Sequence, residues 1–145
     1  MQQLTYALQW KGQVTPETET VFVVHETIKS CSITTVVNSG GITGGFDPAA
    51  VADGEFRTRV EVQQDGKFTE AGTIRFGEHA LFVSTKVPGW LEQSPDPQAQ
   101  HGTVTFEVIG GEGQFDGARG IITSNFSITD DGEVTEHQVG VLYIR

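Results

Sequence analysis

The tight turn signals in the second half of the chain constrain its fold more than any other feature. Asp65-Gly66, Gly77-Glu78 and Asp131-Gly132 each separate two runs of alternating residues. Both positions of an Asp-Gly pair tolerate φ > 0, and Gly-X suits the related mirror-image turn, so each pair reads as a hairpin. The alternation is plainest at Glu55 to Val62, where Phe56, Thr58, Val60 and Val62 oppose Glu55, Arg57, Arg59 and Glu61. Lys67 to Phe76, His79 to Val87, Thr103 to Ile109, Ile121 to Ile128 and Glu133 to Ile144 follow as further strands. Composition agrees: Val, Ile and Thr number 42 against 14 for Ala, Leu and Met. Branching at Cβ restricts χ1 and suits a pleated surface, so this balance favours sheet over helix.

The first third is less regular. Leu4, Tyr6, Leu8 and Trp10 share one face of a strand from Leu4 to Lys11. Thr20 to Ile28 is a second strand, and Ser32 to Asn38 continues it or forms a third. Both carry apolar residues on each face, which predicts burial on both sides. Ser39 to Asp53 reads as a Gly-rich loop in which Pro48 can open one helical turn through Ala52. Pro88 to His101 holds three prolines and little periodicity, the mark of a long functional loop. The sum is about eight strands joined largely by hairpins in a single domain spanning 1–145. Closure removes the exposed edges of such a sheet, so an all-β, closed antiparallel eight-stranded barrel is expected, with a sandwich as the alternative.

Charge and cysteine content narrow the partners. With 9 Lys and Arg against 19 Asp and Glu, the net charge is −10, which disfavours nucleic acid and anionic membranes as partners. The apolar runs are too short to span a bilayer as a helix. The start Met1-Gln2-Gln3-Leu4 lacks the basic-then-apolar pattern of a secretory leader, so a cytoplasmic location is expected. Cys31 is the one cysteine and cannot form an internal disulfide; a structural role is expected for it. No His pair has metal-ligand spacing and no Cys-x-x-Cys occurs, so no metal is expected. Neither Gly-rich segment ends in the Gly-Lys-Ser/Thr of a phosphate loop, and no Gly-x-Ser-x-Gly elbow is present.

The segment Gly110-Gly111-Glu112-Gly113-Gln114-Phe115-Asp116-Gly117-Ala118-Arg119-Gly120 resembles a signature of plant allene oxide cyclases, and a related one of dirigent proteins. Ile74-Arg75-Phe76-Gly77, Leu81-Phe82-Val83-Ser84 and Pro88-Gly89-Trp90-Leu91 resemble the cyclase order of strand, turn, strand and loop. The resemblance runs from Phe56 to the C-terminus, and small bacterial barrels of this type are the expected kin. It implies a calycin-like barrel that holds a small apolar molecule, works without a cofactor and assembles as a dimer or trimer. The apolar residues on both faces of 20–28 and 79–87 suit such an interface. The cyclases' polar contacts come from the first strands, where this chain departs, so no site residue carries over. The bland reading of the Gly-rich segment is a tight corner with Phe115 plugging one barrel end.

Glu70 is the sharpest candidate for chemistry. It shares a strand face with Phe68, Gly72, Ile74 and Phe76, and a carboxyl among such neighbours is desolvated toward a pKa useful for proton transfer. The structural alternative is an ion pair with Arg57 or Arg59 across the hairpin. His25 lies with Val21, Val23 and Thr27, and His137 with Val139, Val141 and Tyr143; either suits a general acid or base, or a satisfied structural histidine. His79 and His101 fall at strand ends and are weaker candidates. Asn125, with Ile121, Thr123 and Ser127, is expected to position a ligand from inside the barrel, or else to bond across strands. Tyr6 and Phe68 are candidate binding residues that equally suit core packing, and Trp90 is a candidate cover in the long loop. Three functions follow: a cofactor-independent lyase, isomerase or cyclase acting on a small apolar or aromatic molecule; a binding protein for such a hydrophobic metabolite; or a barrel packed solid. A cavity of roughly 300 Å³ or more separates the third from the others.

Overall fold

The computed structural model describes residues 1–30, 32–47 and 54–145. The strands are β1 (Gln2–Pro16), β2 (Val21–Ser30), β3 (Ser32–Asn38), β4 (Gly41–Asp47), β5 (Gly54–Val62), β6 (Lys67–Phe76), β7 (His79–Gln93), β8 (Ala99–Glu112), β9 (Arg119–Thr129) and β10 (Glu133–Ile144). Eight of them close into an antiparallel barrel in the order β1-β10-β9-β8-β7-β6-β5-β2, with β1 pairing to both β10 and β2. β3 and β4 form a separate two-stranded hairpin. Among the described residues no helix is long and apolar enough to cross a membrane.

The turns form where their residues allow. Asp65 and Gly66 take φ of 61° and 71°, and Gly77 takes 60°, so positive φ falls on residues that tolerate it. Two expectations are corrected. Gly41–Asp47 is a strand, not loop, because it pairs residue for residue with β3. Pro88 to His101 is mostly strand as well: β7 runs through to Gln93 and β8 begins at Ala99, leaving only 94–98 between them. Pro88 is accommodated because the ladder shifts register between Val87 and Trp90 and again opposite Phe68–Ala71, and a bulge needs no donor at every position.

A third expectation fails for a topological reason. The apolar residues on both faces of Ser32–Asn38 predict burial on both sides, yet Val36 and Val37 are 53% and 74% exposed. The pairing of β2 with β5 closes the wall, so the hairpin between them in sequence is excluded from the interior. The helical turn expected at Pro48–Ala52 and Cys31 lie outside the described residues.

Inward-facing residues divide the barrel lengthwise. At the end where β1 begins and β10 finishes, the lumen is solid. Trp10, Phe56, Ile74, Leu81, Phe106, Ile122 and Leu142 are all essentially inaccessible. Their rings meet at tilted or edge angles, Trp10 to Phe56 at 5.6 Å and Phe56 to Phe106 at 5.8 Å. The Gly-rich segment seals this end: β8 gives way to a 3₁₀ turn at Gly113–Phe115, and the buried Phe115 ring lies 6.3 Å from that of Phe76. Gly111 is needed there, since a Cβ on it would fall 2.7 Å from the Cβ of Phe115.

Candidate functional site

The opposite end is open. A cavity of about 580 Å³ enters the barrel between the end of β1, the start of β2 and the β9–β10 turn. The lumen is therefore not packed solid, and the filled-barrel alternative is set aside. Its wall is apolar, built from inward positions such as Val24, Val60, Phe68, Leu91, Phe126 and Val134. Phe68 and Phe126 meet edge to face at 5.8 Å.

Three carboxyls stand in this apolar wall: Glu26 from β2, Glu70 from β6 and Glu136 from β10, exposed by 1%, 7% and 4%. Each is inward because its strand alternates. Glu26 falls between Val24 and Ile28, Glu70 between Phe68 and Gly72, and Glu136 between Val134 and Gln138. Thr58 on β5 donates its hydroxyl to Glu70 Oε1. Glu26 and Glu136 lie within hydrogen-bonding reach of each other. Apart from each other, neither Glu26 oxygen nor Glu136 Oε2 finds a donor among the described residues.

Burial is the main influence on all three acids. It lifts Glu70 to about 7 against the opposing hydrogen bond from Thr58. It lifts Glu26 to about 8; the bond with Glu136 opposes this and the charge of Glu70 adds to it. It holds Glu136 well above the ordinary carboxyl range, reinforced by the charges of Glu26 and Glu70. Three such groups cannot all ionise in one apolar chamber, so at neutral pH they hold protons between them. A protonated carboxyl donates as well as accepts, and the set can give a proton to a bound molecule or take one from it.

A polar layer lies beneath. Gln138 Oε1 accepts hydrogen bonds from the Tyr6 hydroxyl at 2.8 Å and from Trp10 Nε1 at 3.2 Å. Burial and the charge of Glu136 push the Tyr6 hydroxyl far up, so it stays a donor. Its ring fits because Tyr6 faces Gly140 across the ladder, where a Cβ would come within 2.3 Å of the ring. Gln138 Nε2 and Ser124 Oγ, from cross-strand neighbours, are buried without a hydrogen-bond partner among the described residues.

The residues singled out from the sequence are divided by the barrel wall. Glu70 and Phe68 line the cavity, and Tyr6 lies in the layer below it. Arg57 and Arg59 do not reach Glu70; they pair on the outer surface with Glu55 and Glu17. His25 is on the outer face of β2, half-exposed, with Nε2 3.2 Å from Glu55. His137 faces outward beside Gln9, 3.1 Å away, and partial burial followed by the charge of Lys11 lowers its pKa. Asn125 is exposed on the outer face of β9, while its neighbours Ser124 and Phe126 point inward. Trp90 is 42% exposed with its ring edge-on to His101, and it is Leu91 that reaches the cavity. These four do not join the carboxyl cluster, because their strands present the opposite face to the lumen. Glu26, Glu136 and Gln138 went unselected, although the alternation that exposed Glu70 runs through them too.

No protein-family model matches the chain. No curated protein matches it by sequence. Among solved structures it is similar to a pterocarpan synthase dirigent protein, with a TM-score of 0.58 and 14% identity over 99% of this chain and 87% of that one. At that identity the likeness concerns architecture, and the two chains share the closed antiparallel barrel of a dirigent-like fold.

Proposed function

We propose that the barrel binds a small, mainly apolar or aromatic molecule in its open half and that the carboxyl cluster moves a proton on it, as a cofactor-independent isomerase, cyclase or lyase. One observation carries this reading: three buried carboxyls from three strands line a cavity of about 580 Å³ whose other buried lining residues, Val24, Phe68, Phe126 and Val134, are apolar. Such a chamber excludes water and holds a substrate in one shape. Acids with pKa near 7 to 8 suit both halves of a proton transfer at neutral pH. The dirigent-like neighbour, a pterocarpan synthase by its description, is in keeping with a site for aromatic molecules.

The test is a panel of epoxide, allylic and phenolic compounds, followed by mass spectrometry in deuterated water. Product formation with solvent deuterium incorporated is expected, with Glu70→Gln and Glu136→Gln lowering turnover by 10²-fold or more, on the order expected for loss of a general acid or base. Compounds that bind and are recovered without exchange or change make the protein a carrier instead. Full turnover in both variants overturns the assignment of the acids.

A further inference from the structure

The titratable groups that line the cavity are all acids. Glu26, Glu70 and Glu136 lie within it, and Glu19, Asp130 and Asp131 ring its mouth. Among the described residues that line it there is no Lys, Arg or His. Arg57 and Arg59, on the strand between those of Glu26 and Glu70, are committed to the outer surface. Buried carboxyls in folded proteins are ordinarily matched by a cation or by a full set of donors. Here both oxygens of Glu26 and one of Glu136 lack a donor among the described residues other than each other, although both side chains are buried. The unmet demand at the cavity floor is for positive charge and N–H donors.

We infer that the ligand of this cavity is an organic cation: a primary or secondary amine carried on an aromatic or alicyclic body, with its ammonium held by Glu26 and Glu136, the pair giving up a proton to solvent as the cation binds. This rests on the reading that the open half is a small-molecule site. The match is one of parts. An ammonium offers up to three N–H donors where oxygens stand unpartnered. Phe68 and Phe126 offer apolar ring surface for the body, and aromatic faces also attract cations. The acidic mouth and the net charge of −10 favour the approach of cations and repel anions. The described residues include no cluster of three side chains arranged to hold a metal ion, so an ammonium answers the demand better than a bare cation.

Binding of naphthylethylamine, naphthylethanol and naphthylacetate to the wild-type protein at neutral pH tests this by calorimetry, with ligand-observed NMR for weak binders. The three share a ring and differ in charge. The amine is expected to bind at least about 30-fold more tightly than the alcohol, in line with a charge-assisted bond in a desolvated site, and the acetate not measurably. Glu26→Gln with Glu136→Gln should remove most of that preference, bringing the amine and the alcohol to similar affinities. Asp130→Asn with Asp131→Asn should reduce it only modestly and in a salt-dependent way. The wild-type comparison stands even if the floor variant fails to fold. An alcohol that binds as tightly as the amine overturns the inference and leaves the small-molecule site in place. Binding of none of the three overturns both. A preference unchanged in the floor variant places the amine on the acidic surface and also overturns the inference.

Discussion

The two halves of the barrel are built by the same strands yet filled in opposite ways. In the closed half, Trp10, Phe56, Phe106 and Phe115 occupy the lumen and leave no room for a guest. In the open half, shorter side chains such as Val24, Val60 and Val134 leave about 580 Å³, and three inward positions are acids. Eight strands enclose a space that side chains can just fill or leave open for one small ligand. The sequence of inward residues along each strand decides which happens at each level. Stability is concentrated where rings interlock. Demand for a partner is concentrated where carboxyls are stripped of water and left without donors.

The contrast breaks most visibly at the closed end. Phe106→Ala should cost about 3–5 kcal/mol, since it removes a fully buried ring and leaves a void among partners that cannot collapse. Chemical denaturation measures this, and Glu70→Gln at the open end should cost far less or stabilise the protein. A loss for Glu70→Gln as large as that for Phe106→Ala would show that the acids are part of the stabilising core.

The next effect is one of pH. The unfolded chain titrates these carboxyls near 4.5, and the folded barrel holds Glu70 near 7 and Glu26 near 8. Between those limits the native state binds more protons than the unfolded state, so stability falls as pH rises. Their contribution is complete below about pH 4.5 and is lost as pH rises through about 7 and then about 8. For Glu70 alone this amounts to about 3 kcal/mol at most. Thermal melts from pH 5 to pH 9 should therefore show a declining Tm, and Glu70→Gln should flatten the slope. A Tm that rises over this interval would place the acids in contact with solvent or with a cation. The smallest effect belongs to the outer wall. Arg59→Ala removes the exposed pair with Glu17 and should cost less than about 1 kcal/mol, vanishing in high salt.

Reading these strands from sequence succeeded where the lumen side was also the oilier side. On β6, Phe68, Ile74 and Phe76 mark the inner face and make Glu70 conspicuous. On β10 the signal is inverted. Val139 and Tyr143 draw attention to His137, yet they are 45% and 43% exposed, while Glu136, Gln138 and Gly140 face inward. On β9, likewise, Asn125 shares its face with Ile121, which is 47% exposed. A lumen that must host polar groups weakens the inside-apolar pattern on its own strands, and the site obscures the face that carries it. Pro88 and Gly89 read as turn residues and place Trp90 in a loop; bulges in the ladder carry them within β7 instead.

Local chemistry in the chain determined the strands, the positions of the hairpin turns and the all-β class, because Cβ branching, alternation and tolerance of positive φ act over a few residues. Tertiary structure alone decided which face of β9 and β10 points inward and which end stays open. It also brought Glu26, Glu70 and Glu136 into one chamber. Those three lie on strands far apart in sequence, and only the closure of the barrel places them in one chamber, where burial raises the cost of ionising each and the charge of Glu70 adds to it for Glu26 and Glu136.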